Sequence, residues 1–236
     1  MLSVSVADDR DREGALRCLG TCLLFRGLPV QDVGRLLRDW EWLELRRGEV
    51  LYSQGDPSRG VCVIASGRIR IVRHGPEGRE LTLDYFGAGD AIGECSLVDG
   101  RHHAQAVAVE RVHVLRIPGP AIERILSEVA VVARQLVGLV AARRLDLEER
   151  LEALLSRPVE SRIARFLARA AERHGVPDPR GRLIGVRFTH HEIASCVGAT
   201  RETVTIVLGD LRRRGLLDID HRRIVVRDAT ALAALY

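Results

Sequence analysis

Apolar positions along the chain change their period several times, and each change predicts an element boundary. Residues 1–20 are polar and charged with little pattern, which predicts a loose arm or an irregular helix. Residues 23–45 read as helical, with a cap-and-turn entry at Leu28-Pro29 and an apolar stripe of Val33, Leu36 and Leu37. From Glu44 to about Ile117 the runs become short and alternating, at 50–52, 61–64, 68–72, 81–83, 106–109 and 112–115. Gly48, Gly55-Asp56, Ser66-Gly67, Gly75 to Gly78, Gly87 to Asp90 and Asp99-Gly100 punctuate them. Many short strands with frequent turn signals predict an antiparallel barrel or sandwich. Rolls of this kind commonly enclose a small ligand.

Pro118-Gly119-Pro120 closes the strand region, and residues 121–155 follow without proline and with Gly138 as their one glycine. Ile122, Ile125, Val129, Val132, Leu136 and Leu139 recur at three- and four-residue spacing. The seam drifts by one residue to Val140, Leu147, Leu151 and Leu154, as a nearly straight helix does when it outlasts a 3.5-residue repeat. At about 1.5 Å per residue such a helix runs on the order of 50 Å. That length predicts a two-helix coiled coil between identical subunits in preference to a packing surface within one chain. Arg157-Pro158 interrupts, and residues 159–174 predict an amphipathic helix with Ile163, Phe166, Leu167 and Ala170 inward. Residues 175–179 read as a loop and 183–188 as a short strand.

The stretch after Phe188 predicts two short helices joined by a glycine. Thr189 with Glu192 is a capping box, so a helix starts at His190 and presents Ile193, Ala194 and Val197 on one side. Gly198 breaks it, and Thr200 caps a second helix beginning at Arg201. There Val204, Val207, Leu208 and Leu211 share one side, while Glu202, Thr205, Ile206 and Gly209 point the other way. A narrow, hydrogen-bonding face opposite a core stripe suits a helix entering a DNA major groove. An ordinary helical hairpin with a solvated polar face fits the same pattern. Residues 218–220 and 223–226 predict a hairpin around His221-Arg222, and 229–236 a terminal helical turn or tail.

Composition narrows the choice. A chain of 236 residues makes one large or two modest domains, and 46% hydrophobic with 29% charged residues suits a globular protein. No apolar run reaches the roughly 18 residues of a membrane span, and the acidic start MLSVSVADDRDREG does not read as a signal peptide. No membrane partner and a cytoplasmic location are therefore expected. Charge is asymmetric: residues 156–236 carry 15 Arg against nine acids, residues 1–155 carry 21 against 23, and there is no lysine. The basic C-terminal third is the expected partner of a polyanion. Five cysteines, at 18, 22, 62, 95 and 196, are an odd set without a CxxC pair and read as reduced thiols. His190-His191-Glu192 lacks the HExxH order of a metalloprotease, and no nucleophile–base set is present. An enzyme is not expected.

The order of a Gly-punctuated roll, a long heptad helix and a winged helix-turn-helix resembles the CRP/FNR family of bacterial transcription regulators. The likeness covers roughly residues 24–230 and rests on Gly48-Glu49, Gly55-Asp56, Ser66-Gly67, Gly89-Asp90, Gly93-Glu94, the run Thr200-Arg201-Glu202-Thr203-Val204, and Leu208 through Leu211 to Gly215-Leu216. The helix-turn-helix is also similar to that of the cyanobacterial nitrogen-control regulators, through Thr203-Val204-Thr205 and the stretch from Leu208-Gly209-Asp210 to Leu211-Arg212. The resemblance implies an α+β chain: an arm at 1–23, an antiparallel β-roll sensor domain at 24–120 of the cyclic-nucleotide-binding, jelly-roll kind, a dimerisation helix at 121–156, and a winged helix-turn-helix domain at 157–236. It implies a homodimer paired through Ile122, Ile125, Val129, Val132, Leu136, Leu139, Val140 and Leu147. Its partners are then double-stranded DNA carrying a palindromic operator, and RNA polymerase, which it recruits or blocks.

Arg201 and Glu202 match the family positions that contact base edges and phosphates, with Thr200, Thr205 and Ile206 beside them and Thr189, His190, Arg212 and Arg213 as phosphate contacts. Many members carry arginine where this chain has Ile206, so contact with a thymine methyl is expected there instead. Effector-pocket candidates are Gly93, Glu94, Cys95, Arg101, His102 and His103. Cyclic-nucleotide binders of the family follow Gly-Glu with an Arg-Ser pair. Here that pair aligns with about His103-Ala104, leaving Arg101 to slide into the role, so cyclic AMP is not the expected effector. An iron–sulfur cluster needs more N-terminal cysteines than Cys18 and Cys22, and haem would take Cys95, His102, His103 or His113 as axial ligand; neither is expected. The alternative from another class is a ligand-sensing module whose helix-turn-helix serves protein interaction.

Overall fold

The computed structural model describes residues 3–5, 9–28, 40–75, 80–220 and 223–235. Pro29 and the stripe Val33, Leu36 and Leu37 lie outside the described residues, as does the turn His221-Arg222. The chain divides into two compact units, Met1–Arg144 and Leu145–Tyr236.

In the first unit, β1 (Ser3–Ser5) and α1 (Asp9–Thr21) precede a 3-10 turn at Leu23–Phe25. β2 (Glu41–Leu45), β3 (Val50–Tyr52), β4 (Val61–Ser66), β5 (Ile69–His74), β6 (Glu80–Phe86), β7 (Ala91–Ile92), β8 (Gln105–Ala108) and β9 (Val112–Ile117) then build two antiparallel sheets, ordered β1-β2-β9-β4-β7 and β3-β8-β5-β6. Alternation along β4 shows how they are held. Cys62 and Ile64 face the opposite sheet with Leu43, Leu45, Ile69, Ile71, Val112 and Val114. Val61 and Val63 face outward, under Ala15, Leu19 and Cys22. β4 is therefore buried on both faces, which is why it reads as a continuous apolar run.

Two sequence expectations are corrected here. Of the helix predicted over 23–45, the described residues form a 3-10 turn at Leu23–Phe25 and the strand β2, whose Leu43 and Leu45 alternate into the roll. The predicted continuous helix over 121–155 is two helices, α2 (Gly119–Glu128) and α3 (Ala130–Ser156), whose axes meet at 110°. Val129 makes the corner, with φ −121° and ψ 84°. The bend lets Ile122 and Ile125 on one side and Val132 on the other pack into one cluster against Val61, Val63, Leu115 and Ile117. Ile122, Ile125 and Val132 are at most 1% exposed, each contributing about 1.5–3 kcal/mol by burial. They are buried within their own chain, in place of the pairing seam expected of them; Val129, Leu136 and Leu139 also pack partly against this core. Val137, Val140, Leu145, Leu147, Leu151, Leu154 and Leu155 remain exposed along the rest of α3.

The second unit holds the end of α3, then α4 (Val159–His174), β10 (Gly175–Asp178), β11 (Gly181–Ile184), α5 (His190–Val197), α6 (Arg201–Arg213), β12 (Leu217–Asp220), β13 (Arg223–Val226) and α7 (Ala229–Ala233). α4 has the predicted bounds and buries Ile163, Leu167 and Ala170, while Phe166 meets Phe188 edge-on at 5.1 Å. Residues 175–178, expected as loop, form a strand at the edge of the sheet β10-β11-β13-β12. Pro177 is compatible with that place because an edge strand leaves one row of amide positions unpaired. The expected strand over 183–188 begins earlier, at Gly181, and ends at Ile184.

Candidate functional site

Local chemistry builds the helix-turn-helix as the sequence dictates. The Thr189 hydroxyl accepts the Glu192 amide at 3.1 Å, and the Glu192 carboxylate accepts the Thr189 amide at 2.7 Å. Gly198, at φ 62° and ψ 51°, closes α5 in the left-handed conformation that L side chains avoid. The Thr200 hydroxyl accepts the Thr203 amide at 3.2 Å and opens α6. Val204, Val207, Leu208 and Leu211 are buried, which fixes the rotation of α6 and turns Arg201, Glu202, Thr205 and Ile206 to solvent. Ile206 is 70% exposed, a large apolar side chain turned to solvent. α4 supports the turn through Arg162, which donates to the Gly198 carbonyl at 3.2 Å.

The outward face divides by what its donors and acceptors already do. Thr205 donates to the Arg201 carbonyl at 3.0 Å and, so engaged, accepts from His190 Nδ1 at 2.7 Å. That bond ties the start of α5 to the face of α6, and His190 Nε2 has no hydrogen-bond partner among the described residues. Thr189 gives its hydroxyl proton and its amide to Glu192, so it has no donor left for a phosphate. Arg201 and Arg212 are exposed and form no salt bridge among the described residues, whereas Arg213 pairs with Asp210 at 3.2 Å. The backbone amide of Glu202 and the Thr200 hydroxyl hold the Glu202 carboxyl below the usual carboxylate range, so it stays an acceptor at neutral pH.

The six effector-pocket candidates are near one another in sequence but are not turned to one place. Gly93, in the left-handed conformation, starts the 3-10 turn Glu94–Leu97. Glu94 is buried and pairs with Arg143 of α3, whose guanidinium also donates to the Ala91 carbonyl at 2.6 Å and lies 4.4 Å over the Phe86 ring. Cys95 is exposed. Arg101 donates to the Gly55 carbonyl at 2.9 Å, and His103 meets Asp99 at 3.1 Å. His102 turns inward and stacks on Tyr52, with ring centres 3.7 Å apart. It lines a cavity of about 290 Å³ together with Val50, Leu51, Tyr52, Ser53, Asp56, Pro57, Arg59, Gly60, Cys62 and Arg116. Sequence reasoning missed Arg116, though a signal existed: it follows Val112 and Val114 on the inward face of β9, where another apolar residue is due. Arg116 is 5% exposed and donates to Glu41 across the sheet at 2.8 Å. Burial pushes the Cys18 thiol up to about 12 and those of Cys22 and Cys62 up to about 11, so all three rest protonated.

Two family models match the chain: a cyclic nucleotide-binding domain over residues 42–129 and a Crp-like helix-turn-helix domain over residues 161–235. The cyclic AMP receptor protein of Thermus thermophilus is 32% identical over 89% of this chain and 94% of its own. The global nitrogen regulator of Synechococcus elongatus is 31% identical over 80% of this chain and 87% of its own. Among solved structures, a transcriptional regulator from Thermus thermophilus matches with a TM-score of 0.62 and 29% identity, over 80% of this chain and 93% of that one.

Proposed function

We propose that this chain, which belongs to the CRP/FNR family of bacterial transcription regulators, acts as a homodimer that sets one α6 into each half of a palindromic operator. The observation that carries this is the outward face of α6, where uncommitted Arg201, anionic Glu202 and bare Ile206 stand together above a fixed core stripe. Arg201 is the bidentate partner of guanine, Glu202 accepts from cytosine N4, and Ile206 meets a thymine methyl. Thr205 supports this face instead of reading it, because His190 and the Arg201 carbonyl use its hydroxyl. His190, Arg212 and Arg213 hold phosphates and set the register. Bound in this way, the dimer recruits or blocks RNA polymerase.

The exposed apolar run from Val137 to Leu155 supports pairing of two α3 helices. The engagement of Glu94 by Arg143 and the absence of an Arg-Ser pair near residue 103 support operator binding without cyclic AMP.

The test is a salt titration on a random duplex. Affinity should fall linearly on a log–log plot, with a slope of about −0.9 for each phosphate neutralised. Added cyclic AMP should leave the curve in place. A flat response would sink the DNA-binding reading, and a cyclic AMP-induced gain would sink the effector reading.

Base reading has its own check. Arg201→Ala should lose about 1–3 kcal/mol on the specific site and relax one position. Replacing the contacted thymine with uracil should cost the wild-type protein about 0.8 kcal/mol, the worth of one buried methylene. The same replacement should cost Ile206→Ala nothing. Equal uracil penalties in the two proteins would remove Ile206 from the reading set.

A further inference from the structure

The cavity in the roll is built from residues that the DNA-reading function does not use. It opens between β3, the turn that follows it, and the facing ends of β4 and β9. His102 is 6% exposed, and neither of its ring nitrogens has a hydrogen-bond partner among the described residues. These nitrogens are not sealed from solvent, so water or a ligand can reach and satisfy them. Burial holds the His102 ring below the usual imidazole range, so at neutral pH it offers one donor and one acceptor. Arg59 also lines the space and forms no hydrogen bond or salt bridge among the described residues. Arg116 lies at the inner end with donors on the Glu41 carboxylate and the Cys62 sulfur, and has further donors to spare. The one lining carboxylate, Asp56, already accepts the Ser53 amide at 3.0 Å. Two guanidinium groups and a free imidazole against one engaged carboxylate favour an anion over a cation. The volume of about 290 Å³ is at the small end for ligand sites.

We propose that this cavity binds a compact molecule bearing a carboxylate or phosphate group, which Arg59 and Arg116 hold by charge and His102 by a hydrogen bond. The site is separate from the Gly93-Glu94 turn, whose carboxylate is committed to Arg143 and does not line the cavity. Its occupation bridges the turn carrying Arg59 to β9, and so joins the two sheets at their open end.

The test is a titration of the full-length chain, without DNA, followed by histidine-selective NMR. The His102 signals are identified by their loss in His102→Phe, which keeps a ring on Tyr52. Inorganic phosphate and succinate are the probes, and sodium chloride at matched ionic strength is the control. The expected result is a saturable shift of the His102 signals with one or both probes and none with chloride. Phosphate alone would assign a phosphate-bearing ligand, and succinate alone a carboxylate-bearing one. Arg59→Ala should weaken the affinity roughly tenfold. Arg73→Ala, which removes an exposed guanidinium of β5 outside the lining, should leave it unchanged. No saturable shift with either probe, an equal shift with chloride, or undiminished affinity in Arg59→Ala would each overturn the proposal. Because no DNA is present, none of these results bears on the reading of the operator.

Discussion

Changing Leu147 and Leu151 together to Asp should turn the proposed dimer into a monomer and lower affinity for a palindromic duplex by about 10²–10⁴-fold. Both leucines lie on α3, 54% and 57% exposed, among further exposed apolar side chains at 137, 140, 145, 154 and 155. A second α3 laid along this stripe removes that surface from water, and an aspartate there must be desolvated without a partner. The loss on DNA is large because the second half-site binds at the effective concentration set by the first. Separated subunits forfeit that advantage while keeping every base contact. Since the two side chains are exposed, far-ultraviolet circular dichroism should be unchanged. Sedimentation velocity and a binding titration provide the readout. A variant that stays dimeric would refute the pairing surface, and a monomer with full affinity would refute the need for pairing.

The second large effect is expected in the roll. Gly60→Ala should destabilise the first unit by about 2–6 kcal/mol. One contribution is an L side chain at φ 123°, about 1–3 kcal/mol. The other is a backbone shift, about 1–3 kcal/mol, because a Cβ at this position would stand 2.0 Å from the Ile117 carbonyl oxygen and 2.9 Å from the Gly119 nitrogen. Neither obstacle is a flexible side chain that could move aside. Both tryptophans of the chain, Trp40 and Trp42, belong to this unit. Their fluorescence during denaturant unfolding therefore reports the unit alone. A midpoint within 1 kcal/mol of wild type would show that the corner after β9 yields more easily than its geometry indicates.

What could be read from the sequence depended on how local its causes were. The capping box at Thr189 and Glu192, the glycine at 198 and the cap at Thr200 act within a few residues, so both helix starts and the turn were legible. The stripe from Val204 to Leu211 fixed which side of α6 is inward before any partner was known. The corner at Val129 was not legible, since neither proline nor glycine marks it and the three-four repeat runs straight through. Periodicity reports that Ile122, Ile125 and Val132 are covered, but not whether their own sheet or another chain covers them. β2 was missed because its short alternation follows directly on a helical pattern. β10 was missed because Pro177 argues against a strand unless it lies at an edge. The cavity was illegible for a different reason: Tyr52, Arg59, His102 and Arg116 come together only through the pairing of distant strands.

The corner at Val129 divides one apolar repeat between two kinds of selection. Under the proposed pairing of α3 helices, substitutions before it change how much chain folds, and substitutions well after it change which chains associate. A cell holding several regulators of this build could let their later seams diverge until mixed pairs no longer form, without weakening any one roll. Independence of lineage among duplicated regulators would then be written in residues 137–155, while the first turns of the repeat stay bound to the sheet they cover.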